Sequence, residues 1–438
     1  MPKYHLLIYG CQMNLADADR LRTVLGGLNY QETGKIKEAD LIVFVTCAVR
    51  QKAEDKIYGH NRNIRKLKEV NPRLKVALTG CMSTYGLEKL KRKMPVLDFV
   101  FPITDIDRLE IILNDGSFNS PPPQPSPIKR EGDIDSLGYF QIAPTHISPS
   151  QMFLPIMTGC NNFCAYCIVP YSRGREASRP HQDILEEAEK FLAQGGKEIT
   201  LLGQNVNSYK DGEINFTALL KMSNDLPYEY RLHFVTSHPK DMSDELIRCF
   251  RDLPKLCEYL HLPVQSGDDE ILKRMNRNYT AKHYLGLIEK LRKARPDIAI
   301  STDVIVGFPE ETSRQFQNTC KLFKQVEFDM AYIAQYSPRP FTAAAALPDN
   351  VSAEVKKERW DKLNDILKKT ALKKNREYAG REVEVLVENI AGGKAYGRTR
   401  SSKQVEFLAD GNIKVGDLVN VQITKSLVWG LKGETGYR

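Results

Sequence analysis

The amino-acid sequence predicts an α/β protein in three parts: an open parallel sheet with helices, a partial (β/α)6 barrel and a small antiparallel β-barrel. Strand-like and helix-like stretches alternate in the N-terminal part and again from residue 153 to about residue 340, which predicts βαβ units and parallel sheets. After residue 376, short strand-like runs alternate with turns that contain glycine, a pattern typical of small antiparallel barrels. The length of 438 residues agrees with about three domains.

The first predicted domain spans residues 1–116 and should carry an open parallel sheet. Its strand candidates are Tyr4–Tyr9, Leu41–Val45 and Lys75–Leu78, and its helix candidates are Ala16–Leu28, Arg50–Lys68 and Tyr85–Lys93. A linker or exposed loop is predicted for residues 117–150, because the segment Ser120–Pro127 is rich in proline, which lacks a backbone donor.

The second predicted domain spans residues 151–375 and should form six strand–helix units. Its strand candidates are Phe153–Thr158, Glu198–Leu202, Arg231–Thr236, Tyr259–Pro263, Ile298–Val306 and Met330–Tyr336. Its helix candidates are Gln182–Gln194, Phe216–Asn224, Met242–Phe250, Tyr279–Ala294 and Ser313–Val326, followed by a basic helix at Ala353–Glu377. In such barrels the chemistry takes place at the C-terminal ends of the strands.

The third predicted domain spans residues 376–438. Its strand candidates are Val383–Val387, Val405–Leu408 and Leu418–Ile423.

The composition is that of an ordinary globular protein, with 42% hydrophobic and 27% charged residues. The net charge of +8 is compatible with a polyanionic partner such as RNA but does not require one. No run approaches the roughly 20 apolar residues of a membrane helix, and no signal-peptide core is present, which predicts a cytoplasmic protein without membrane contact. Nine cysteines in a reducing compartment are expected as buried side chains, metal ligands or nucleophiles rather than disulfides.

The strongest motif is a group of three cysteines, Cys160, Cys164 and Cys167, which we call the central triad. Thiolates at positions i, i+4 and i+7 can surround one metal centre and leave a coordination position open, as catalytic metal sites do. The motif follows the strand Phe153–Thr158, at the catalytic end of the predicted barrel. A zinc site is the alternative, but it usually needs a fourth Cys or His, and the nearest His downstream, His181, opens a predicted helix.

A second group of cysteines, Cys11, Cys47 and Cys81, forms what we call the N-terminal triad. Each follows one of the first three predicted strands, so parallel neighbouring strands would bring the three thiols to one edge of the sheet, where open α/β sheets bind ligands. The alternative is that they are three small buried side chains. Three further cysteines lack metal-ligand spacing and are assigned to the core: Cys249, Cys257 and Cys320.

The central triad, with an aromatic residue before its last cysteine, resembles the signature of the radical S-adenosylmethionine superfamily. Nearly the whole chain resembles the methylthiotransferases of that superfamily, which combine a cluster domain, a radical domain and an RNA-binding barrel called TRAM. The matching segments are Tyr9–Asn14, Thr79–Met82, Gly159–Pro170 and Ser301–Pro309. Further segments resemble the branch that acts on N6-isopentenyladenosine in tRNA: Tyr171–Pro180, Leu201–Asn207, Thr236–Pro239 and Leu260–Gly267.

The resemblance implies two 4Fe–4S clusters, one on each triad, and S-adenosylmethionine chelated by the open iron of the central cluster. It implies that two S-adenosylmethionine molecules are used per turnover, that the auxiliary cluster supplies sulfur, and that C2 of isopentenyladenosine beside the tRNA anticodon receives the methylthio group. It also implies an electron donor such as flavodoxin or ferredoxin, and a monomer. No catalytic residue beyond the cluster ligands is assigned.

Further site candidates follow from position and from the resemblance. Tyr166 is expected near the adenine of the cofactor or as a shield of the cluster, and the strand-end residues Gly203, Gln204 and Gln265 as cofactor contacts or as ordinary loop residues. Basic and aromatic side chains suit RNA phosphates and unstacked bases, although surface charges of no special role are the alternative. The RNA-binding candidates are Arg173, Arg175, Tyr396, Arg398, Arg400 and Lys403.

The sequence departs from the family pattern at three places. Phe341 and Glu310 stand where the family usually has glycine, and Asp17–Asp19 replaces the usual acidic-Ser-Glu run after Cys11. Two other functions stay open on the sequence alone. One is methylthiolation of threonylcarbamoyl-adenosine in tRNA or of a ribosomal protein, and the other is a non-catalytic iron–sulfur protein that binds RNA or senses redox state.

Overall fold

The computed structural model describes residues 1–48, 51–115 and 137–436. Its N-terminal part is a parallel sheet in the order β2-β1-β3-β4-β5. The strands are β1 Lys3–Tyr9, β2 Gln31–Glu32, β3 Leu41–Thr46, β4 Lys75–Gly80 and β5 Phe99–Val100. The helices are α1 Gln12–Gly27, α2 Gln51–Gly59, α3 Asn61–Val70, α4 Leu87–Lys93, α5 Leu109–Asp115 and α6 Leu137–Gln141. Every residue of β3 is buried, as expected for the centre of a parallel sheet.

Two features of the N-terminal part differ from the sequence prediction. The single helix expected at Arg50–Lys68 is two helices, α2 and α3, which meet at His60, and Arg50 lies outside the described residues. In the segment expected to be a linker, α6 is regular and places Tyr139 in a hydrophobic core with strands of the sheet. The proline-rich stretch Ser120–Pro127 lies outside the described residues.

The central part is a partial barrel, as predicted. Its main strands are β6 Gln151–Pro155, β9 Glu198–Leu202, β12 Arg231–Phe234, β13 Tyr259–His261, β14 Ala299–Val306 and β15 Met330–Gln335. Four short strands form two antiparallel pairs, β7 Met157–Thr158 with β8 Ala177–Ser178 and β10 Lys210–Asp211 with β11 Ile214–Asn215. The six main strands form two parallel sheets, β6-β9-β12 and β13-β14-β15, and a parallel bridge from Leu232 to Leu256 joins them. Within the described residues β6 does not pair with β15, so the barrel is open there.

Helices cover the outside of the partial barrel. They are α7 Val169–Arg173, α8 His181–Ala193, α9 Phe216–Asn224, α10 Asp244–Asp252, α11 Asp269–Arg274, α12 Ala281–Ala294, α13 Ser313–Val326 and α14 Ala353–Arg376. The apolar faces of these helices share one large hydrophobic core with the strands, except that α7 packs through Tyr171 against the core of the N-terminal sheet. None of the helices in the described part of the chain combines the length and the apolarity needed to cross a membrane.

The C-terminal part is a closed barrel of five strands, in the order β16-β17-β18-β20-β19. The strands are β16 Glu382–Ala391, β17 Lys394–Thr399, β18 Gln404–Leu408, β19 Leu418–Leu427 and β20 Gly430–Thr435. The predicted barrel is confirmed, but β17 and β20 were not predicted as strands, and β18 and β20 pair in parallel where an all-antiparallel barrel was expected.

Candidate functional site

The three thiols of the N-terminal triad lie at one edge of the first sheet. Tyr9 of β1 pairs with Thr46 of β3, and Thr46 pairs with Gly80 of β4, so the three strands end at the same level. Cys47 and Cys81 follow these ends directly, and Cys11 caps the N-terminus of α1 two residues after β1. The parallel register therefore brings together the three cysteines that the sequence spaces about 35 residues apart.

A glycine before Cys81 allows two strand ends to approach closely. Gly80 has a φ of +87°, and a Cβ at this position would lie 2.4 Å from the carbonyl oxygen of Thr46. Any other residue would push β4 away from β3, since such contacts are not tolerated. The close approach holds the backbones of Cys47 and Cys81 side by side.

The central triad lies in the loop that follows β7. Gly159 has a φ of +72°, and a Cβ there would lie 1.9 Å from the carbonyl oxygen of Arg175, so the loop passes against the end of α7. The Cys160 amide donates to the Gly174 carbonyl at 3.1 Å, and the Ala165 amide donates to the Met275 carbonyl at 2.9 Å. The loop is thus fixed from both sides by backbone hydrogen bonds.

Arg173 of α7 reaches from the central part of the chain to the N-terminal triad. It is 3% exposed, and its guanidinium pairs with Asp17 of α1 at 2.6 Å. Burial alone would lower the pKa of Arg173, but Asp17 and the thiols of Cys81 and Cys11 raise it well above its ordinary value. A positive charge is therefore held beside the N-terminal triad by a residue of the central part.

The two triads lie near one another, because α7, which begins two residues after Cys167, packs against the turn Cys81–Tyr85. Burial raises the pKa of the Cys167 thiol, and the neighbouring thiols of Cys164, Cys160 and, from the other domain, Cys81 raise it further. Burial also raises the pKa of Cys160 to about 11. These thiols hold their protons at neutral pH, so binding of iron must release protons, as it does at any thiolate site.

Arg277 is the basic residue of the central triad, and it was not among the residues predicted from the sequence. Its guanidinium is buried and donates to the Cys164 sulfur at 3.6 Å and to the Pro263 carbonyl at 2.6 Å. No carboxylate of the described residues forms an ion pair with it. Burial would lower its pKa, but Tyr166, Tyr279 and Cys164 raise it well above the ordinary value. A buried cation that faces a thiol and lacks a carboxylate suits an anionic thiolate-bound cluster.

The two sets of three cysteines are compatible with iron–sulfur clusters. In the parts of the chain that the structure describes, no three His, Cys, Asp or Glu side chains converge closely enough to hold one metal ion. A zinc ion needs its ligands at about 2.0–2.3 Å from one point, whereas an iron–sulfur cluster spreads its thiolate ligands over several irons. Two three-cysteine sets, each accompanied by a buried arginine, are compatible with the larger group.

The strand-end candidates lie at the C-terminal end of the partial barrel. Gln265 is buried with a φ of +67°, a strained conformation of the kind found at binding sites. Gly203 is required by packing, because a Cβ there would lie 2.6 Å from the Met157 side chain. Gln204 is half-buried in the same loop.

Two further polar groups at these strand ends were missed by the sequence analysis. Asn205 Oδ1 and Ser237 Oγ are buried and have no hydrogen-bond partner among the described residues. Because buried polar groups are normally satisfied, these two are candidate partners for the polar groups of S-adenosylmethionine.

Tyr166 is half-buried between the central triad and an apolar cluster that includes Met275 and Phe308. Burial raises the pKa of its hydroxyl well above the ordinary value, which Arg277 partly offsets. Tyr166 therefore stays neutral beside Cys164 and Cys167.

Four of the predicted RNA-contact residues form ion pairs within the protein. Arg173 is buried in its pair with Asp17, and Lys403, also buried, pairs with Asp329 at 2.6 Å. Arg400 pairs with Glu258 of the central part at 3.1 Å. Arg398 pairs with Glu388, and its carbonyl accepts a hydrogen bond from Arg231 at 2.9 Å. Arg173, Arg400 and Lys403 thus pair with carboxylates of another part of the chain, whereas the Arg398 side chain pairs within the barrel. Contact of these four residues with RNA stays a prediction.

The other two RNA candidates are at least partly exposed. Tyr396 is 37% exposed, and the half-buried Arg175 lies over the Phe163 ring at 4.5 Å. Their contact with RNA stays a prediction.

Comparison with known proteins gives a consistent result. Residues 154–323 match the Radical SAM superfamily, and residues 3–102 match the Uncharacterized protein family UPF0004. A tRNA-2-methylthio-N(6)-dimethylallyladenosine synthase of Thermoanaerobacter sp. (strain X514) is 44% identical over 98% of this chain and 92% of that protein. The protein of the same name from Clostridium novyi (strain NT) is 43% identical over 99% of this chain and 96% of that protein.

Among solved structures, the chain is similar to the radical S-adenosylmethionine methyltransferase TsrM from Kitasatospora setae, solved with cobalamin and a 4Fe–4S cluster bound. The TM-score is 0.56 at 15% identity, over 79% of this chain and 74% of the other. At this identity the similarity concerns the fold alone.

Proposed function

Since the chain belongs to the radical SAM superfamily and to the family of the tRNA-2-methylthio-N(6)-dimethylallyladenosine synthases, we propose that it adds a methylthio group to tRNA. The target is C2 of N6-isopentenyladenosine, also called dimethylallyladenosine, beside the anticodon. The observation that carries this proposal is the arrangement of the two cysteine triads, which come from different parts of the chain and are brought near one another where α7 packs against the turn Cys81–Tyr85.

The superfamily implies a 4Fe–4S cluster and S-adenosylmethionine. We propose that Cys160, Cys164 and Cys167 hold this cluster, that the N-terminal triad holds a second one as the sulfur source, and that two S-adenosylmethionine molecules are used per turnover. The cluster on the central triad, when bound together with S-adenosylmethionine and reduced by one electron, would supply a 5′-deoxyadenosyl radical able to activate an inert C–H bond.

The protein's own residues prepare the site for this chemistry. Arg277 places a positive charge against the Cys164 sulfur, and Arg173 places another beside Cys11 and Cys81. The strained Gln265 and the unsatisfied Asn205 and Ser237 offer polar groups at the strand ends, where a cofactor can be oriented. The burial of these groups limits water, which protects a reactive radical.

The other parts of the proposal concern partners and organisation. The substrate is tRNA, contacted at the anticodon loop, and the electron donor is a small redox protein of the flavodoxin or ferredoxin class. The protein acts as a cytoplasmic monomer. Its domains are residues 1–116, 151–375 and 376–438, joined by the segment 117–150.

Of the alternative functions, neither is favoured. The relatives cover nearly the whole chain and are named for the dimethylallyl substrate. Their names therefore support dimethylallyladenosine as the substrate over threonylcarbamoyl-adenosine or a ribosomal protein. A redox sensor or simple RNA-binding protein would not need a radical SAM domain with an open coordination position.

The test is a competition between substrates. The anaerobically reconstituted protein is given isopentenylated, threonylcarbamoylated and unmodified anticodon stem-loops together, with S-adenosylmethionine and dithionite. We expect the methylthio mass on the isopentenylated RNA, because an apolar pocket gains roughly 25 cal/mol for each Å² of the isopentenyl group that it buries. A variant with Cys160, Cys164 and Cys167 changed to Ala should modify none. Preference for the threonylcarbamoylated RNA would overturn the substrate and leave the chemistry standing.

A further inference from the structure

Phe341 combines exposure with a backbone conformation that bulky side chains avoid. Its φ is +69°, in the left-handed region, and the side chain is 53% exposed. A glycine would adopt this conformation without strain, and burial of the ring does not compensate for it. Strain that folding does not explain is a reason to look for a role in binding.

The segment around Phe341 is fixed to both triad-bearing domains. The buried Arg339 donates to Gln51 of α2 at 3.1 Å, and the Thr342 hydroxyl donates to the Arg339 carbonyl at 2.7 Å. The Ala344 amide donates to the carbonyl of Ala165, which lies between two cysteines of the central triad, at 2.7 Å. Phe341 therefore has a defined position near the central triad.

The Phe341 ring stacks on Tyr171 of α7. The ring centroids are 6.2 Å apart and the planes differ by 27°, a near-parallel offset arrangement. Tyr171 packs against the hydrophobic core that contains Cys81 and Ile168, and Ile168 directly follows Cys167. The aromatic pair therefore lies beside both triads, with much of the Phe341 ring still exposed to solvent.

We propose that Phe341, supported by Tyr171, is a stacking platform for one nucleobase of the substrate RNA, next to the adenine that is modified. This rests on the proposed function. A target base that enters a buried site leaves its neighbours in the loop without a stacking partner, and an exposed aromatic face replaces it. The rigid, strained position of the ring reduces the entropy that ordering it on binding would otherwise cost.

The test uses the full reconstituted protein and an isopentenylated anticodon stem-loop with 2-aminopurine beside the target adenosine. F341G removes the ring and the strain, F341L keeps bulk and strain without the ring, and F341Y keeps the ring. We expect F341G and F341L to bind the RNA about 5- to 150-fold more weakly and to lose quenching of 2-aminopurine, while F341Y stays within about twofold of the parent. The unfolding temperature of F341G should not fall below that of the parent.

Three outcomes would overturn the platform. If F341G and F341L bind and quench like the parent while the parent methylthiolates the stem-loop, Phe341 is not a base contact and the proposed function stands. If the parent neither binds nor modifies any of the stem-loops, both proposals fall. Weaker binding of F341G and F341Y but not of F341L would also contradict stacking, since only F341L and F341G lack the ring.

Discussion

At the scale of single residues, Arg277 is the group whose charge bears most directly on the central triad. Its guanidinium is buried, contacts the Cys164 sulfur and has no carboxylate partner among the described residues. Removal of a positive charge disfavours the extra electron of a reduced cluster. We therefore expect R277Q to lower the midpoint potential of the reconstituted cluster by on the order of 100 mV, the equivalent of about 2 kcal/mol of lost charge interaction.

The measurement is a redox titration followed by electron paramagnetic resonance, together with an iron assay. R277K keeps the charge and is the matched control, with a potential close to that of the parent. An unchanged potential in an R277Q protein of normal iron content would show that the arginine only supports the loop.

The buried pair of Arg173 and Asp17 gives a prediction of a different kind. Asp17 is fully buried and also accepts a hydrogen bond from the Tyr139 hydroxyl at 2.8 Å. D17N leaves a buried guanidinium without its counter-charge, which typically costs about 3–5 kcal/mol. We expect denaturant unfolding of the metal-free protein to show a loss of this size, whereas K190Q, which breaks an exposed pair with Glu186, should cost less than about 1 kcal/mol. Equal losses of unfolding free energy in D17N and K190Q would mean that the buried pair contributes no more to stability than the exposed pair.

Site residues could be predicted from the sequence where the residues that act together lie close along the chain, and not where they lie far apart. The spacing of Cys160, Cys164 and Cys167 is visible within eight residues of sequence. The contact between Arg277 and Cys164 spans 113 positions, so nothing near Arg277 indicates it. Lys403 and Arg400 were assigned to RNA because basic side chains in a barrel suggest phosphates, and only the three-dimensional packing reveals Asp329 and Glu258 as their partners.

At the scale of elements, the N-terminal triad depends on the parallel register of β1, β3 and β4. Alternation of strands and helices was enough to predict that sheet, since parallel strands of a βαβ series end at one edge. Short elements were harder to predict: β17 and β20 each contain glycine, which weakens a strand signal, and they form only because the barrel closes around them.

A prediction at this scale concerns the two triads as separate sets of ligands. The variant with Cys11, Cys47 and Cys81 changed to Ala should hold about half the iron and sulfide of the parent, as should the variant with the central triad changed, since each 4Fe–4S cluster needs its own thiolates. The first variant should still form 5′-deoxyadenosine from S-adenosylmethionine and should not methylthiolate RNA.

Iron and sulfide assays after anaerobic reconstitution, with analysis of the nucleosides, provide the measurement. C249A, in the core away from both triads, is a control that should keep the full iron content. Parent-level iron after loss of either triad, or zinc at either site in protein prepared without oxygen, would contradict the presence of two clusters.

At the scale of the whole molecule, the C-terminal barrel is attached to the central part through charged groups. Arg231, at the start of β12, donates to the Glu384 carboxylate at 2.7 Å, and Arg400 and Lys403 reach back to Glu258 and Asp329. The same barrel was expected to bind RNA, with Arg400 and Lys403 among the contacts. Because carboxylates of the central part already neutralise Arg400 and Lys403, we expect these two residues to contribute little to the salt-dependent binding of phosphates.

The last prediction tests, in the full chain, whether Arg400 and Lys403 stabilise the interface without binding RNA phosphates. The double variant R400A/K403A should unfold at a lower temperature, because it leaves Glu258 and Asp329 without partners in the interface, but it should leave the salt dependence of tRNA binding unchanged.

The matched variant K414Q/K425Q alters two exposed lysines on the same barrel. If the barrel binds RNA phosphates through them, the slope of log affinity against log salt should fall by about 0.7 for each phosphate that is no longer neutralised, with little change in stability. Binding isotherms at several salt concentrations and thermal unfolding measure both quantities. A reduced slope in R400A/K403A, with the slope of K414Q/K425Q unchanged, would show that Arg400 and Lys403 contact RNA phosphates and would contradict the prediction.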